Sequence, residues 1–138
     1  MAIRAGLCHA AKLAFLTGVH QPQDKYMLAL YTGNADISRD TPTYTTAGES
    51  VGAGYQAGGV LLMGYESGIT DGCAWINWRS DPIWHNSTIL ARGALVYNAS
   101  KGNVALEVLD FGTDKGSING EFEINLPASG VTSMITFE

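Results

Sequence analysis

Short apolar runs, separated by glycine and small polar residues, follow one another from Tyr26 to the end of the chain, and this pattern restricts the fold more than any other feature. β-Branched and aromatic side chains are enriched in the runs, as is typical of antiparallel strands. The chain has 17 glycines, and most lie between the runs, where tight turns need positive φ angles. The sequence therefore predicts a mainly β domain.

Two runs indicate how the strands pack. Residues 26–31 are apolar on both parities, so both faces of this strand need cover, and we expect the second cover to be the N-terminal helix or another subunit. Residues 121–126 alternate between apolar and polar side chains, so one face points to a core and the other to solvent. The remaining strands are expected at 60–65, 73–78, 89–97, 104–111 and 131–137. Seven or eight strands of this kind predict an antiparallel β-sandwich, jelly-roll-like, with one N-terminal α-helix.

The N-terminal segment, residues 1–20, has a different periodicity. Within residues 3–17, helical spacing places four side chains on one face: Ile3, Leu7, Ala10 and Ala14. Gly18 follows where a left-handed C-terminal cap would lie. We predict an amphipathic helix here rather than a signal peptide, because Lys12 interrupts the apolar stretch and no convincing cleavage site follows.

The chain length of 138 residues predicts one domain, 1–138, with one core. Residues 34–59 differ from the rest because they are rich in Thr, Gly and Ser and include Pro42. We expect a long loop or a weakly paired edge excursion in this segment. A loop of that length in a small domain is usually functional or mobile.

Charge is sparse, at 15% of residues, and the formal net charge is −5. The eight Lys and Arg residues are scattered, which argues against the basic stripe that binds nucleic acid. No apolar run approaches the roughly 18 residues that span a bilayer, so no membrane role is expected. A lightly charged surface is hard to keep soluble alone, and burial against a partner would relieve this difficulty.

Residues that could carry chemistry are dispersed, so we predict no enzymatic activity, no metal site and no cofactor. The three histidines lack metal-ligand spacing, and the two cysteines lie 65 positions apart, at 8 and 73. The glycine-rich stretch 52–59 lacks the Lys-Ser/Thr ending of a phosphate loop. Residues 114–121 offer oxygen ligands without the spacing of a calcium loop, and we predict a hairpin turn there.

Tryptophan and arginine residues are the remaining candidates for binding. Trp75 and Trp78 should point to opposite faces of one strand, which weakens a sugar-stacking platform and places one ring in the core. Trp84 is the third tryptophan. Arg92 lies inside an apolar run, where a buried charge needs a partner. It could form an internal ion pair or anchor an interface.

Five segments share features with a known family of small β proteins: 29–32, 44–49, 52–59, 91–98 and 108–112. In these segments the chain resembles the small capsid-decoration, or cement, proteins of tailed bacteriophages. The five segments are strand and turn sequences without a catalytic signature, and the resemblance spans nearly the whole chain. Similar small β proteins also serve as tail components.

The resemblance implies a virion structural protein, made in the host cytoplasm and placed on the capsid exterior, where it bridges major capsid protein subunits. It implies a homo-oligomer, a dimer or a trimer, and carries over no active-site residues. An alternative is a tail-associated or receptor- or glycan-binding virion protein. From their positions in the chain, six residues are candidate partner contacts: Arg4, Tyr44, Tyr55, Trp78, Trp84 and Arg92.

Overall fold

Two antiparallel sheets pack into a sandwich in the computed structural model, which describes residues 2–130 and 132–137. This confirms the mainly β fold with a single short helix near the N-terminus. In chain order the elements are β1 (Gly6–Leu7), α1 (His9–Leu16), β2 (Tyr26–Tyr31), β3 (Val60–Leu61), β4 (Tyr65–Thr70), β5 (Cys73–Trp78), β6 (Ile83–Asn98), β7 (Val104–Glu123) and β8 (Ile135–Phe137).

The larger sheet has the strand order β1-β7-β6-β2-β3, and the smaller has the order β4-β5-β8. Aromatic rings join the two sheets, since Tyr26 of β2 lies 5.7 Å from Tyr65 of β4 and 5.4 Å from Trp78 of β5, measured between ring centroids. Offset or tilted aromatic pairs of this kind stabilise a core beyond their buried area.

β2 is buried on both faces, as its double apolar parity predicts. Leu28, Ala29 and Leu30 are all fully buried. The smaller sheet covers the face that carries Tyr26, and the 34–59 segment covers the opposite face, where the Tyr31 hydroxyl donates to the Thr45 carbonyl at 2.6 Å. The 34–59 excursion, rather than the expected N-terminal helix or another subunit, therefore supplies the second cover.

The predicted hairpin turn at 114–121 is wrong, because these residues lie inside β7. The strand predicted at 104–111 and the first half of the one predicted at 121–126 belong to one long strand that pairs with β6 and ends at Glu123. Turn-forming residues are accommodated at irregularities within the ribbon: Gly112 and Asn119 have φ of 78° and 48°, and the β6–β7 register shifts four times. Bulges absorb such residues without ending a strand.

The helix is shorter than predicted, spanning His9–Leu16 instead of 3–17. Strand pairing takes the preceding residues, since β1 pairs with β7 and Ile3 bridges to Ile37. The buried helical side chains are Ala11 and Ala14, so the predicted face is confirmed at Ala14, whereas Ala10 is only partly buried. The chain leaves the helix through Gly18 at φ 72°, as predicted.

The other predicted strand boundaries agree with the structure only in part. The prediction at 73–78 coincides with β5, whereas the run at 60–65 is divided between β3 in one sheet and the start of β4 in the other. Of the strand predicted at 131–137, Val131 lies outside the described residues and β8 covers Ile135–Phe137. No helix in the described part of the chain is long and apolar enough to cross a bilayer.

Candidate functional site

The buried carboxylate of Glu49 joins separate parts of the 34–59 excursion to one another, while the Tyr31 and Tyr97 hydroxyls of the larger sheet donate to excursion carbonyls. The hydroxyls of Tyr44 and Tyr55 donate to the two oxygens of Glu49 at 2.6 and 2.5 Å, and the Gly58 N–H donates at 2.8 Å. Burial, together with these bonds to Glu49, raises the pKa of Tyr44 and Tyr55 well above the usual value. Three donors on one buried carboxylate fix the excursion in place.

The rings of these two tyrosines also pack onto β6. Tyr44 stacks on Tyr97 at 4.7 Å between ring centroids, and Tyr55 lies 6.1 Å from Trp84. Both tyrosines remain partly exposed. Their role as partner contacts stays a prediction, but their structural role in holding the excursion is plain from these contacts.

The other two aromatic candidates lie in the core. Trp78 and Trp84 are only 1% and 4% exposed, so neither side chain offers much surface to a partner in this conformation. Trp75, on the opposite face of β5, is the partly exposed tryptophan, as the parity of the strand predicts, and its indole N–H donates to the Thr70 hydroxyl at 3.1 Å.

The two arginine candidates lie nearer the surface. Arg4 is exposed and lines a shallow depression with His9 and Asp40. Arg92 is partly buried and donates from Nη2 to the Gly112 carbonyl at 3.1 Å. Arg92 forms no ion pair with any residue in the described ranges. Its guanidinium is hydrogen-bonded to a backbone carbonyl instead.

An exposed apolar surface, which we call the helix patch, is formed by α1 and β8. Leu13 and Leu16 are 64% and 86% exposed and lie three residues apart, on one side of the helix. Beside them is a depression of about 550 Å³, lined mainly by Leu7, Phe15 and Phe137. Grouped exposed apolar side chains mark interaction surfaces more often than scattered ones do.

A second concave region, the β7 groove, lies along β7 and has a volume of about 430 Å³. Residues 124–127 and 133–134 form its other wall. Its apolar lining comes from Leu109, Phe111, Phe122, Ile124, Leu126 and Met134, and its charged lining from Glu107, Asp110, Lys115 and Glu123. Asp110, Lys115 and Glu123 are exposed at the rim, whereas Glu107 is partly buried.

Glu107 is the residue of this groove that the sequence analysis missed. It lies opposite Leu7 of β1 and Val96 of β6, and burial raises its pKa to about 8. Across residues 2–130 and 132–137, no hydrogen bond or ion pair to its carboxyl is formed. The available signal was an acidic residue within the apolar run of a buried strand, where an unpaired carboxyl is costly.

No family model, curated protein or solved structure matches this chain. Its function must therefore be inferred from its surfaces and their chemistry.

The β7 groove gathers titratable groups beside apolar walls. Asp110, Lys115 and Glu123 stand at the rim in solvent, and Glu107 accepts no hydrogen bond from any of the described residues. Within the described ranges, no three His, Cys, Asp or Glu side chains come together as metal ligands would. Apolar walls beside a partly buried carboxyl favour a ligand with an apolar stem and a polar tip.

A buried polar cluster links the segment after α1 to the turn between β6 and β7. The Asn98 amide donates to Asp24 at 2.9 Å and lies 2.9 Å from His20 Nδ1, and Lys101 is paired with Asp24. Burial lowers the pKa of His20. Although burial opposes ionisation of Asp24, hydrogen bonds from Asn98, Lys101 and a backbone N–H lower its pKa. The bonds among Asn98, Asp24 and Lys101 hold this turn in place, whereas the buried Nε2 of His20 has no hydrogen-bond partner among the described residues.

Proposed function

We propose that this chain is a non-enzymatic structural protein of a phage virion, which decorates the capsid and stabilises it by bridging major capsid protein subunits. The observation that supports this proposal most directly is the helix patch. Leu13 and Leu16 stand exposed beside an apolar depression on a protein with few charges. The resemblance to capsid-decoration proteins supplies the kind of partner.

The helix patch gives the proposal an energetic basis. Burying an exposed leucine side chain contributes about 1.5–3 kcal/mol, so Leu13 and Leu16 alone could contribute several kcal/mol to a contact. A decoration protein that binds the assembled lattice better than free subunits stabilises the shell by mass action. If two or three subunits of an oligomer each contact the lattice, modest individual contacts give very slow release.

The excursion at 34–59 also suits a binding surface. Its hydrogen bonds to Glu49 hold it in one conformation, so a partner that contacts Tyr44 or Tyr55 need not order a loop. Binding by a preorganised surface avoids that entropic cost.

The test uses purified expanded capsids that lack this protein. A double variant, Leu13→Gln with Leu16→Gln, keeps helix propensity high while removing apolar surface from the helix patch. We expect it to bind at least tenfold more weakly than the unmodified protein, which corresponds to about 1.4 kcal/mol. Ile69→Thr is the matched control, because Ile69 is 76% exposed on β4, outside the helix patch. Failure of the unmodified protein to bind such capsids would remove the proposal.

Two further measurements address the partners and the location. Sedimentation of the purified chain should show a dimer or a trimer, and a monomer at all concentrations would contradict the oligomeric form of the proposal. Labelling the protein in intact virions and locating it by electron microscopy should place it on the capsid exterior. A label confined to tails would instead favour the tail-associated or receptor-binding alternative.

A further inference from the structure

The outer edge of β7 is open beside the β7 groove. On that side, Thr43 bridges to Val104, and β1 pairs with Glu107 and Val108. From Leu109 onward, no strand of the described residues pairs with this edge, although the Gly112 N–H donates to the Asp110 carboxylate and the Gly112 carbonyl accepts from Arg92. An unpaired edge is a template for the addition of an extended segment from another chain.

The groove beside this edge has a distinct charge pattern. Three carboxyl groups line it, those of Glu107, Asp110 and Glu123, against the single cation Lys115. Lys115 shows how a cation sits there, since its Nζ lies 5.5 Å from the centre of the Phe111 ring. The excess of carboxyl groups over cations in the groove favours a cationic ligand.

Glu107 is the innermost of these carboxyls and lacks a hydrogen-bond donor from the described residues. The ionisable groups that face it are Cys8 at the start of α1, whose thiol pKa is raised to about 12 by burial and by Glu107, and the three charged residues of the rim. None of them donates a hydrogen bond to Glu107. A donor from outside the chain would satisfy it.

We propose that the β7 groove binds a lysine side chain carried by an extended segment of a partner protein, which adds to the open edge of β7. The aliphatic stem of the lysine lies along the apolar walls, at Leu109 and Ile124, and its ammonium group donates to the Glu107 carboxylate. Lysine suits this site because its stem packs on apolar surface while its charge sits at the tip. The inference concerns a different face from the helix patch and holds whatever the partner's identity.

Burial raises the pKa of Glu107 to about 8, which adds a pH signature to the proposal. Near pH 7 the carboxyl is mostly protonated, so an incoming ammonium must displace its proton. Lysine itself remains charged to about pH 10. Affinity should therefore rise between pH 7 and pH 9 and then level off.

The experiment uses the full chain and two peptides that differ in one group. The probe is acetyl-Val-Thr-Lys-Thr-Val-amide, in which the valines and the lysine share one face of an extended strand. The comparison peptide carries norleucine, which keeps the aliphatic stem without the ammonium. Methyl NMR should show shifts at Leu109, Ile124 and Met134, with the lysine peptide bound about tenfold more tightly, because only its ammonium group can form a charge-assisted hydrogen bond to Glu107.

Two variants locate the effect. Glu107→Gln, an isosteric change, should abolish both the preference for lysine and its rise with pH. Lys115→Met should strengthen binding of the lysine peptide by removing a competing cation. Glu121→Gln is the control, because Glu121 belongs to the same strand and pairs with His85 outside the groove.

The proposal is overturned if the lysine peptide causes no shifts in the groove, if the norleucine peptide binds equally well, or if Glu107→Gln binds the lysine peptide unchanged. None of these results bears on capsid binding by the helix patch, which the capsid experiment tests separately.

Discussion

Glu49 is buried and Glu107 is partly buried, and their carboxyl groups differ in the hydrogen bonds that they receive. Glu49 receives two tyrosine hydroxyls and one backbone N–H, whereas Glu107 receives no hydrogen bond from the described residues. A buried charge is stable only where hydrogen bonds replace its water. Glu49 therefore stabilises the fold. Glu107 can still accept a hydrogen bond from a group outside the chain.

The largest expected effect is on the satisfied carboxylate. Glu49→Ala would leave two tyrosine hydroxyls and the Gly58 N–H without their acceptor, and we expect a loss of about 3–5 kcal/mol in the free energy of unfolding. Urea unfolding followed by tryptophan fluorescence measures it. Glu49→Gln, which keeps one acceptor oxygen, should lose less. A loss below 1 kcal/mol for the alanine variant would mean that the excursion is held by other contacts.

The unsatisfied carboxylate should show its effect through pH. The folded-state pKa of Glu107 is raised to about 8, above the ordinary value of about 4.3, so the folded state binds more protons between these values. Its contribution to stability is therefore fully present below about pH 4 and is lost as the pH rises through 8.

We expect Glu107→Gln to remove this decline. Relative to the variant, the unmodified protein should lose about 2 kcal/mol between pH 5 and pH 8, which allows for screening by solvent in the open groove. Unfolding curves of the two proteins across this range give the difference, in which the titration of His20 cancels. Parallel curves would show that Glu107 ionises normally.

Removing a single donor from Glu49 should have a smaller effect. Tyr55→Phe deletes the bond to Glu49 and the acceptor of the Leu30 N–H, and we expect a loss of about 1.5–2 kcal/mol. Tyr65→Phe is the matched control, since the Tyr65 hydroxyl has no hydrogen-bond partner among the described residues and should lose little. Equal losses in the two variants would point to ring packing rather than the hydrogen bonds.

The smallest effect should come from a carboxylate that already has a cation. Asp24 pairs with Lys101 but also accepts hydrogen bonds from Asn98 and the Gln21 N–H. Because Lys101 is 36% exposed, Lys101→Met should cost only about 0.5–1 kcal/mol in thermal or urea unfolding. A loss as large as that of Glu49→Ala would contradict the view that shared donors protect Asp24.

Much of the fold could be predicted because it depends on local pattern. The double apolar parity of 26–31 predicted a strand covered on both faces, and the run at 73–78 gave β5 with its observed bounds. The parity of Trp75 and Trp78 correctly separated a core ring from a more exposed one. These features follow from the alternation of side chains along a strand, which depends only on residues close together in the sequence.

The site was less accessible to prediction. The 34–59 excursion was expected as a long loop or edge, but nothing in its composition showed that Glu49 would anchor it, because both tyrosine donors reach the carboxylate through a tertiary arrangement. Glu107 was overlooked for a similar reason. Its strand was predicted, but the open edge beside it depends on how little of β7 is covered by β1.

The sequence by itself determined a mainly β chain with one N-terminal helix and few charges. Only the tertiary structure decided that 104–123 is one strand and that β1 displaces the start of the predicted helix. It also decided that the buried carboxylate of Glu49 receives hydrogen bonds, whereas the partly buried carboxyl of Glu107 receives none from the described residues. The physical reason is that periodicity fixes which side chains share a face, whereas strand pairing, burial and hydrogen-bond satisfaction depend on residues far apart in the chain.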